Sequence, residues 1–143
     1  MNKRFLLFLS IIITIFIFIK FFDYEAGEVL KVIDGDTFKL KDGRIVRLIG
    51  IDAPEKNELC FNESKNVLKS LLRNKVVILK KDSKERDKYG RLLRYVYLDS
   101  LFINLIMVRS GYAKVVLNQN EKYYKLFKEA EYEAKKLRKC IWK

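Results

Sequence analysis

The chain opens on a block of apolar residues with no period. Phe5–Ile19 carries no charge, Lys20 interrupts, and Phe21 and Phe22 follow. A run that is apolar on every face predicts a helix in an apolar medium and not half of an amphipathic pair. From Gly27 the pattern changes to short strands. Val32-Ile33 and Phe38-Lys39-Leu40 flank Asp34-Gly35-Asp36-Thr37, which predicts two strands about a tight turn, and Asp42-Gly43 marks a second hairpin. Ile45–Ile51 reads as an apolar-rich strand that ends at Ala53-Pro54, because proline has no N–H for a ladder.

Further on, Asn62-Glu63-Ser64 starts a helix with Val67, Leu68, Leu71 and Leu72 on one face. Lys75–Lys80 is a strand, Lys81–Lys88 a charged loop, Tyr89-Gly90 a turn, and Leu92–Leu98 an alternating strand. Asp99 or Ser100 caps a short, nearly all-apolar helix to Arg109, stopped by Gly111. Asn120–Lys139 carries a stripe of Tyr123, Phe127, Ala130, Ala134 and Leu137, continued by Ile141, as an amphipathic helix packed on a sheet would. Five strands with early hairpins, followed by helices, predict a small closed α+β barrel: an OB-type five-stranded barrel with three α-helices, preceded by the N-terminal apolar helix.

Length allows one folded domain, expected at 27–143, with 1–26 as an export segment. The basic head Met1–Arg4 before the apolar run predicts a cytoplasmic N-terminus, with the domain outside. Eighteen helical residues approach the thickness of a bilayer core. No small-residue cleavage site follows the run, so a membrane anchor through residues 5–22 is expected, with secretion after cleavage as the alternative.

Charge adds a partner class. The net charge is +12, and residues 1–26 hold only Lys3, Arg4 and Lys20 against Asp23 and Glu25. Nearly all of the excess therefore belongs to the domain. Such a field suits a polyanion, whether nucleic acid or an anionic lipid surface, and also suits plain solubility. There is no histidine. That excludes histidine bases, histidine triads and histidine-ligated zinc, and leaves carboxylates, arginine, lysine, tyrosine or a hard metal ion to do chemistry.

Three clusters carry such groups: Asp34-Gly35-Asp36-Thr37, Arg47 through Glu55 (RLIGIDAPE), and Asp87-Lys88-Tyr89-Gly90-Arg91. Singly, each has a structural explanation as a turn, a strand end or a hairpin corner. Together they supply hard oxygen ligands for Ca²⁺ or Mg²⁺ and planar guanidinium forks for phosphate, the groups that phosphodiester hydrolysis requires.

In this order and at these separations, VIDGDT, RLIGIDAPE and DKYGR resemble the staphylococcal nuclease family. GYAKV at Gly111–Val115 and the closing Ile141-Trp142 are similar too. The resemblance implies the five-stranded OB barrel with three helices, and metal-dependent cleavage of DNA and/or RNA to 3′-phosphates. It implies one Ca²⁺ ion on Asp36, Asp52 and the carbonyl of Ala53. Glu55 would be the general base, Arg47 and Arg91 would grip the scissile phosphate, and Lys88 and Tyr89 would contact a neighbouring one. Asp34 would shape the turn under the metal. No protein partner is implied, and a monomer is expected. A non-catalytic nucleic-acid-binding OB barrel is the alternative, although Asp36, Arg47, Asp52, Glu55 and Arg91 are all present.

Two departures from the family stand out. Only Lys56–Phe61 separates Glu55 from the next helix, where the best-known member has a longer basic loop. Leu117 also occupies the place of a base-stacking tyrosine. The implied fold would bring Cys60, before the first long helix of the barrel, near Cys140 at the end of the last. Outside the cytoplasm that pair is expected to form one disulfide.

Overall fold

Alternation along the strands sets the inside of the barrel. In β5 (Val76–Lys80), Val77 and Leu79 are buried while Val76 and Ile78 face out. The computed structural model describes residues 3–21 and 24–143, except for the side chains of residues 3 and 16–21. In chain order, α1 (Lys3–Phe21) is followed by β1 (Tyr24–Val32), β2 (Thr37–Leu40), β3 (Ile45–Leu48) and β4 (Ile51–Asp52). Then come α2 (Phe61–Leu72), β5, β6 (Leu92–Leu98), β7 (Leu101–Phe102) and α3 (Ile103–Arg109). β8 (Lys114–Val115), α4 (Tyr124–Lys136) and a 3-10 turn at Cys140–Trp142 close the chain.

β1 serves two partners. Its first half, Tyr24–Glu28, pairs with β5, and its second half, Val29–Val32, pairs with β2 across an irregularity between Val29 and Lys31. Such a break lets one strand bend from one side of a barrel to the other. The sheet runs β3-β2-β1-β5-β6, and a parallel seam of β3 with β6 closes it, Val46 opposite Leu92 and Arg47 opposite Leu93. This is the five-stranded barrel with helices that pattern and resemblance implied. Val29, Phe38, Leu40, Val46, Leu48, Val77, Leu79 and Val96 fill it, Leu68 and Leu72 of α2 pack on the same core, and all are fully buried. Phe127 and Ala130 of α4 join Met107 and Val108 of α3 in that core. Tyr95 meets Tyr123 edge-on at 4.6 Å there.

Several boundaries differ from expectation. β1 begins at Tyr24, three residues before the expected domain start at Gly27. The reason is ionic as well as β-structural: the Glu25 carboxylate pairs with Arg94, which is only 2% exposed, at 3.0 Å. Arg94 also donates to the carbonyls of Glu85 and Leu93. The expected strand 45–51 breaks at Gly50, whose φ of +76° favours glycine, and a Cβ there would lie 2.6 Å from Leu117. Asp99 and Ser100 cap no helix. They form the two-residue turn of the β6–β7 hairpin, with Leu98 opposite Leu101, and α3 starts only at Ile103. The last helix spans Tyr124–Lys136, shorter than the expected 120–139.

The structure gives the expected membrane span no support. Among the described residues no helix is long and apolar enough to cross a membrane. Within α1 the uncharged stretch is only Phe5–Ile19, about 22 Å of helix against a core of ~30 Å. Residue 22, the last of the expected 5–22 segment, lies outside the described residues, as does residue 23.

Candidate active site

The turn between β1 and β2 carries the first carboxylate. Asp34 Oδ1 accepts from the backbone N–H of Asp36 at 3.0 Å, an Asx turn. A Cβ on Gly35 would sit 1.9 Å from Ser64 Oγ and 2.7 Å from the Ala53 methyl, so only glycine lets this turn lie against α2 and the end of β4. The turn thereby buries Asp36. Its Oδ1 accepts from the Thr37 hydroxyl at 2.7 Å, and its Oδ2 from the Ala53 N–H at 3.0 Å.

Asp52, at the end of β4, keeps 48% of its side chain exposed. Arg47 joins the two carboxylates. Its Nη2 lies 2.7 Å from Asp52 Oδ1 and 3.2 Å from Asp36 Oδ2, and its Nη1 donates to the Ile51 carbonyl at 3.0 Å. Burial pushes the Asp36 carboxyl above its usual range, and the Arg47 charge, the Ala53 N–H and the Thr37 hydroxyl offset that only in part. A desolvated carboxylate beside a half-exposed one is a place where a cation is favoured, and Arg47 is the cation that occupies it.

Among the described residues no three acidic, histidine or cysteine side chains cluster as a closed metal cage. The donor set is two hard carboxylates converging on one point. That fits a Ca²⁺ ion completed by a backbone carbonyl and water, since calcium takes 6–8 oxygen ligands. Arg47 would have to leave both carboxylates as the ion arrived, which would free its fork for phosphate.

Glu55 follows Asp52 along the same rim. A cleft of about 370 Å³ is lined by Asp52, Glu55, Glu58, Leu59, Lys114 and Ile141, among others. Glu55 and Glu58 clasp one another through the backbone. The Glu55 N–H donates to Glu58 Oε2 at 2.7 Å, and the Glu58 N–H donates to the Glu55 carbonyl at 2.9 Å. The Glu-x-x-Glu spacing ahead of a helix signals this reciprocal turn, which resembles a capping box. The sequence reading passed over it. Cys60 has a φ of +66°, a conformation costing a side chain about 1–2 kcal/mol, and is joined to Cys140 with Cα atoms 5.9 Å apart.

Arg91 is set by the loop before β6. Its Nε donates to Asp87 Oδ2 at 2.6 Å, and Asp87 Oδ1 also accepts from the N–H groups of Tyr89 and Arg91. Burial alone would push the Asp87 carboxyl up, but these donors outweigh it and hold the group below its usual range. Asp87 was part of the sequence cluster without a role, and here it is the residue that aims Arg91. Leu93 is the partner of Arg47 across the seam, so Arg91, the residue just before β6, lies two residues back along the chain, about 7 Å. Tyr89 is 71% exposed at the loop tip, with Lys88 Nζ 5.0 Å and the Arg91 guanidinium 5.5 Å from its ring centre.

Two supports escaped the sequence reading. Glu131 of α4 is buried and accepts from the Val115 N–H at 2.9 Å, which pins β8 behind Asp52. Leu117 packs on Gly50 and is buried, so it offers no open face for a base.

A family model described as staphylococcal nuclease homologue matches residues 45–143. A thermonuclease of Staphylococcus hyicus is 36% identical over 128 residues, 82% of this chain and 76% of its own length. An uncharacterized endonuclease of Escherichia coli is 41% identical over 98 residues, 66% of this chain and 63% of its own. An SPbeta prophage-derived endonuclease of Bacillus subtilis is 36% identical over 124 residues, 78% of this chain but 42% of the longer relative.

Proposed function

The chain belongs to the staphylococcal nuclease family and is a nuclease, and from that premise we propose that it hydrolyses DNA and/or RNA to 3′-phosphate products with one Ca²⁺ ion. The observation that carries the proposal is the meeting of Asp36 and Asp52 at one guanidinium nitrogen, on the rim of the cleft that Glu55 lines. Asp36, Asp52 and the Ala53 carbonyl would hold the ion. When bound, it supplies charge neutralisation on the phosphate and lowers the pKa of water.

The protein's own groups do the rest. Glu55, exposed on the cleft rim and in no ion pair among the described residues, takes the proton of the attacking water as a general base. Asp87 holds Arg91 through Nε, and among the described residues the two Nη atoms make no hydrogen bond, so the fork is open to phosphate oxygens. Arg47 adds a second fork. Lys88 and Tyr89 contact the neighbouring phosphate.

An oxidising, extracytoplasmic location is part of the proposal. A formed bridge fits it, and the basic head with an uncharged run of signal-peptide length fits export. Incubating the protein with single-stranded DNA and RNA, with Ca²⁺ or with chelator, tests the reading. Cleavage that stops in chelator and falls about 10²–10⁴-fold in Glu55→Gln is expected. Full activity in chelator would remove the metal role of Asp36 and Asp52.

A further inference from the structure

Glu55 is held in place from two sides. Within the short connection Pro54–Cys60, its own N–H is bound by the Glu58 carboxylate, and Glu58 is tied back by its N–H and carries the Phe61 N–H on its carbonyl. Asn57 and Cys60 both have left-handed backbone, φ +78° and +66°. Asparagine adopts this readily and cysteine does not, so Cys60 keeps that conformation only while something holds it.

Two things hold Cys60: its bridge to Cys140, and the N–H of Ser64, which donates to its carbonyl at 2.9 Å where α2 begins. The Cys140 end is fixed in turn. Ile141 N–H donates to the Gly111 carbonyl at 3.2 Å, Lys139 N–H to the Ala134 carbonyl at 3.0 Å, and Lys139 lies so close to Gly111 that a Cβ there would be 2.6 Å from it. Leu59 and Ile141, each the chain neighbour of a bridged cysteine, line the cleft together with Asp52 and Glu55. Opening the bridge removes the side-chain restraint on Cys60, leaving only its carbonyl tied to α2, and unties one wall of the cleft from the other.

We propose that Glu58 and the Cys60–Cys140 bridge are positioning residues for Glu55, so that full turnover requires the oxidised bridge and the nuclease is throttled in a reducing environment. This rests on the reading of Glu55 as the base. The switch is a two-electron exchange: a dithiol reductant gives two electrons and two protons to the S–S bond, leaving two thiols, and becomes a cyclic disulfide itself.

The test uses the full chain on a short single-stranded oligonucleotide with Ca²⁺, below the melting temperature, with circular dichroism and nucleotide binding followed alongside. Glu58→Ala should lower kcat about 10–100-fold with KM within about twofold, because misplacing a reacting group by an ångström costs up to about 10². Glu58→Gln should stay within about threefold of wild type, since its amide oxygen still accepts from the Glu55 N–H. Protein reduced with dithiothreitol, with bridge opening verified by thiol labelling, should lose about tenfold in kcat and recover on reoxidation. Cys140→Ser should be equally slow and indifferent to reductant. Were that variant unfolded, the Glu58 pair alone would decide. Glu58→Ala at the wild-type rate, equal losses in Glu58→Ala and Glu58→Gln, or reduced folded protein at the oxidised rate each overturn the proposal. A parallel Glu55→Gln arm separates the two readings. If Glu55→Gln is slow while Glu58→Ala and reduced protein are fast, only the positioning role falls. If Glu55→Gln is fast, the base assignment itself falls.

Discussion

Replacing Glu25 by alanine should destabilise the barrel out of proportion to its place near the start of the strand. Arg94 is 2% exposed and Glu25 26%. Without Glu25, the guanidinium keeps only the Glu85 and Leu93 carbonyls, and its Nε already has no partner. Breaking a fully buried pair from one side costs about 3–5 kcal/mol. The partial exposure of Glu25 and the two remaining acceptors bring the expectation to the lower end, about 2–3 kcal/mol. At roughly 4 °C per kcal/mol for a domain of this size, Tm should fall about 8–12 °C. The effect should reach the site, because the Arg94 carbonyl accepts from Ile49 N–H just past the strand that carries Arg47. Thermal and urea unfolding at pH 7 would measure it. Glu25→Ala with Arg94→Met should recover most of the loss, since no charge is then left buried. A single variant within about 0.5 kcal/mol of wild type, or a double variant as unstable as the single, would refute the reasoning.

Asp36 predicts a metal-linked response. Its folded pKa is raised, so the stability it contributes is present below its ordinary value of 3.8 and lost as pH rises through the folded value. At neutral pH its charge is therefore a cost that a cation relieves. Asp36→Asn should be at least as stable as wild type in chelator and should lose the Tm gain that Ca²⁺ gives wild type; equal gains in a thermal-shift assay would contradict this. Glu25, Asp87 and Glu131 point the other way: their folded values are depressed, so their stability holds above about pH 4.5 and is lost as pH falls through the lowered values. Urea titrations from pH 7 to pH 3 should show a plateau and then a decline, shallower in Glu131→Gln, whose amide oxygen can still hold Val115. Arg91→Lys should bind nucleotide nearly normally at low salt but lose about 10²-fold in kcat, because Lys cannot span two oxygens; unchanged turnover at saturating substrate would refute its role.

The strands of the barrel were legible because their apolar positions alternate and Asp-Gly pairs punctuate them. Helix ends were less so. Asp99-Ser100 has the chemistry of both an N-cap and a hairpin turn, and only the pairing of Leu98 with Leu101 decides between them. Tyr24–Ala26 looked like the tail of the apolar segment, and nothing local announces that Glu25 answers an arginine sixty-nine residues away. At the site, the motifs named the carboxylates and arginines but not their present partners. That Arg47 sits on Asp36 and Asp52, and that Glu58 grips Glu55, are matters of contact across turns. Glu131 was hidden in the polar half of a helix pattern, since one carboxylate turned inward leaves no mark on the period.

The cross-link between Cys60 and Cys140 spans 80 residues, and that interval is also a span of time. A ribosome adding about 5–20 residues per second needs roughly 4–16 s to pass from one cysteine to the other. In the later half of that window, once Leu98 has been made, the β3–β6 seam can already close while Cys60 waits for a thiol not yet made. Each new molecule would thus be able to hold its barrel shape before it can lock its cleft.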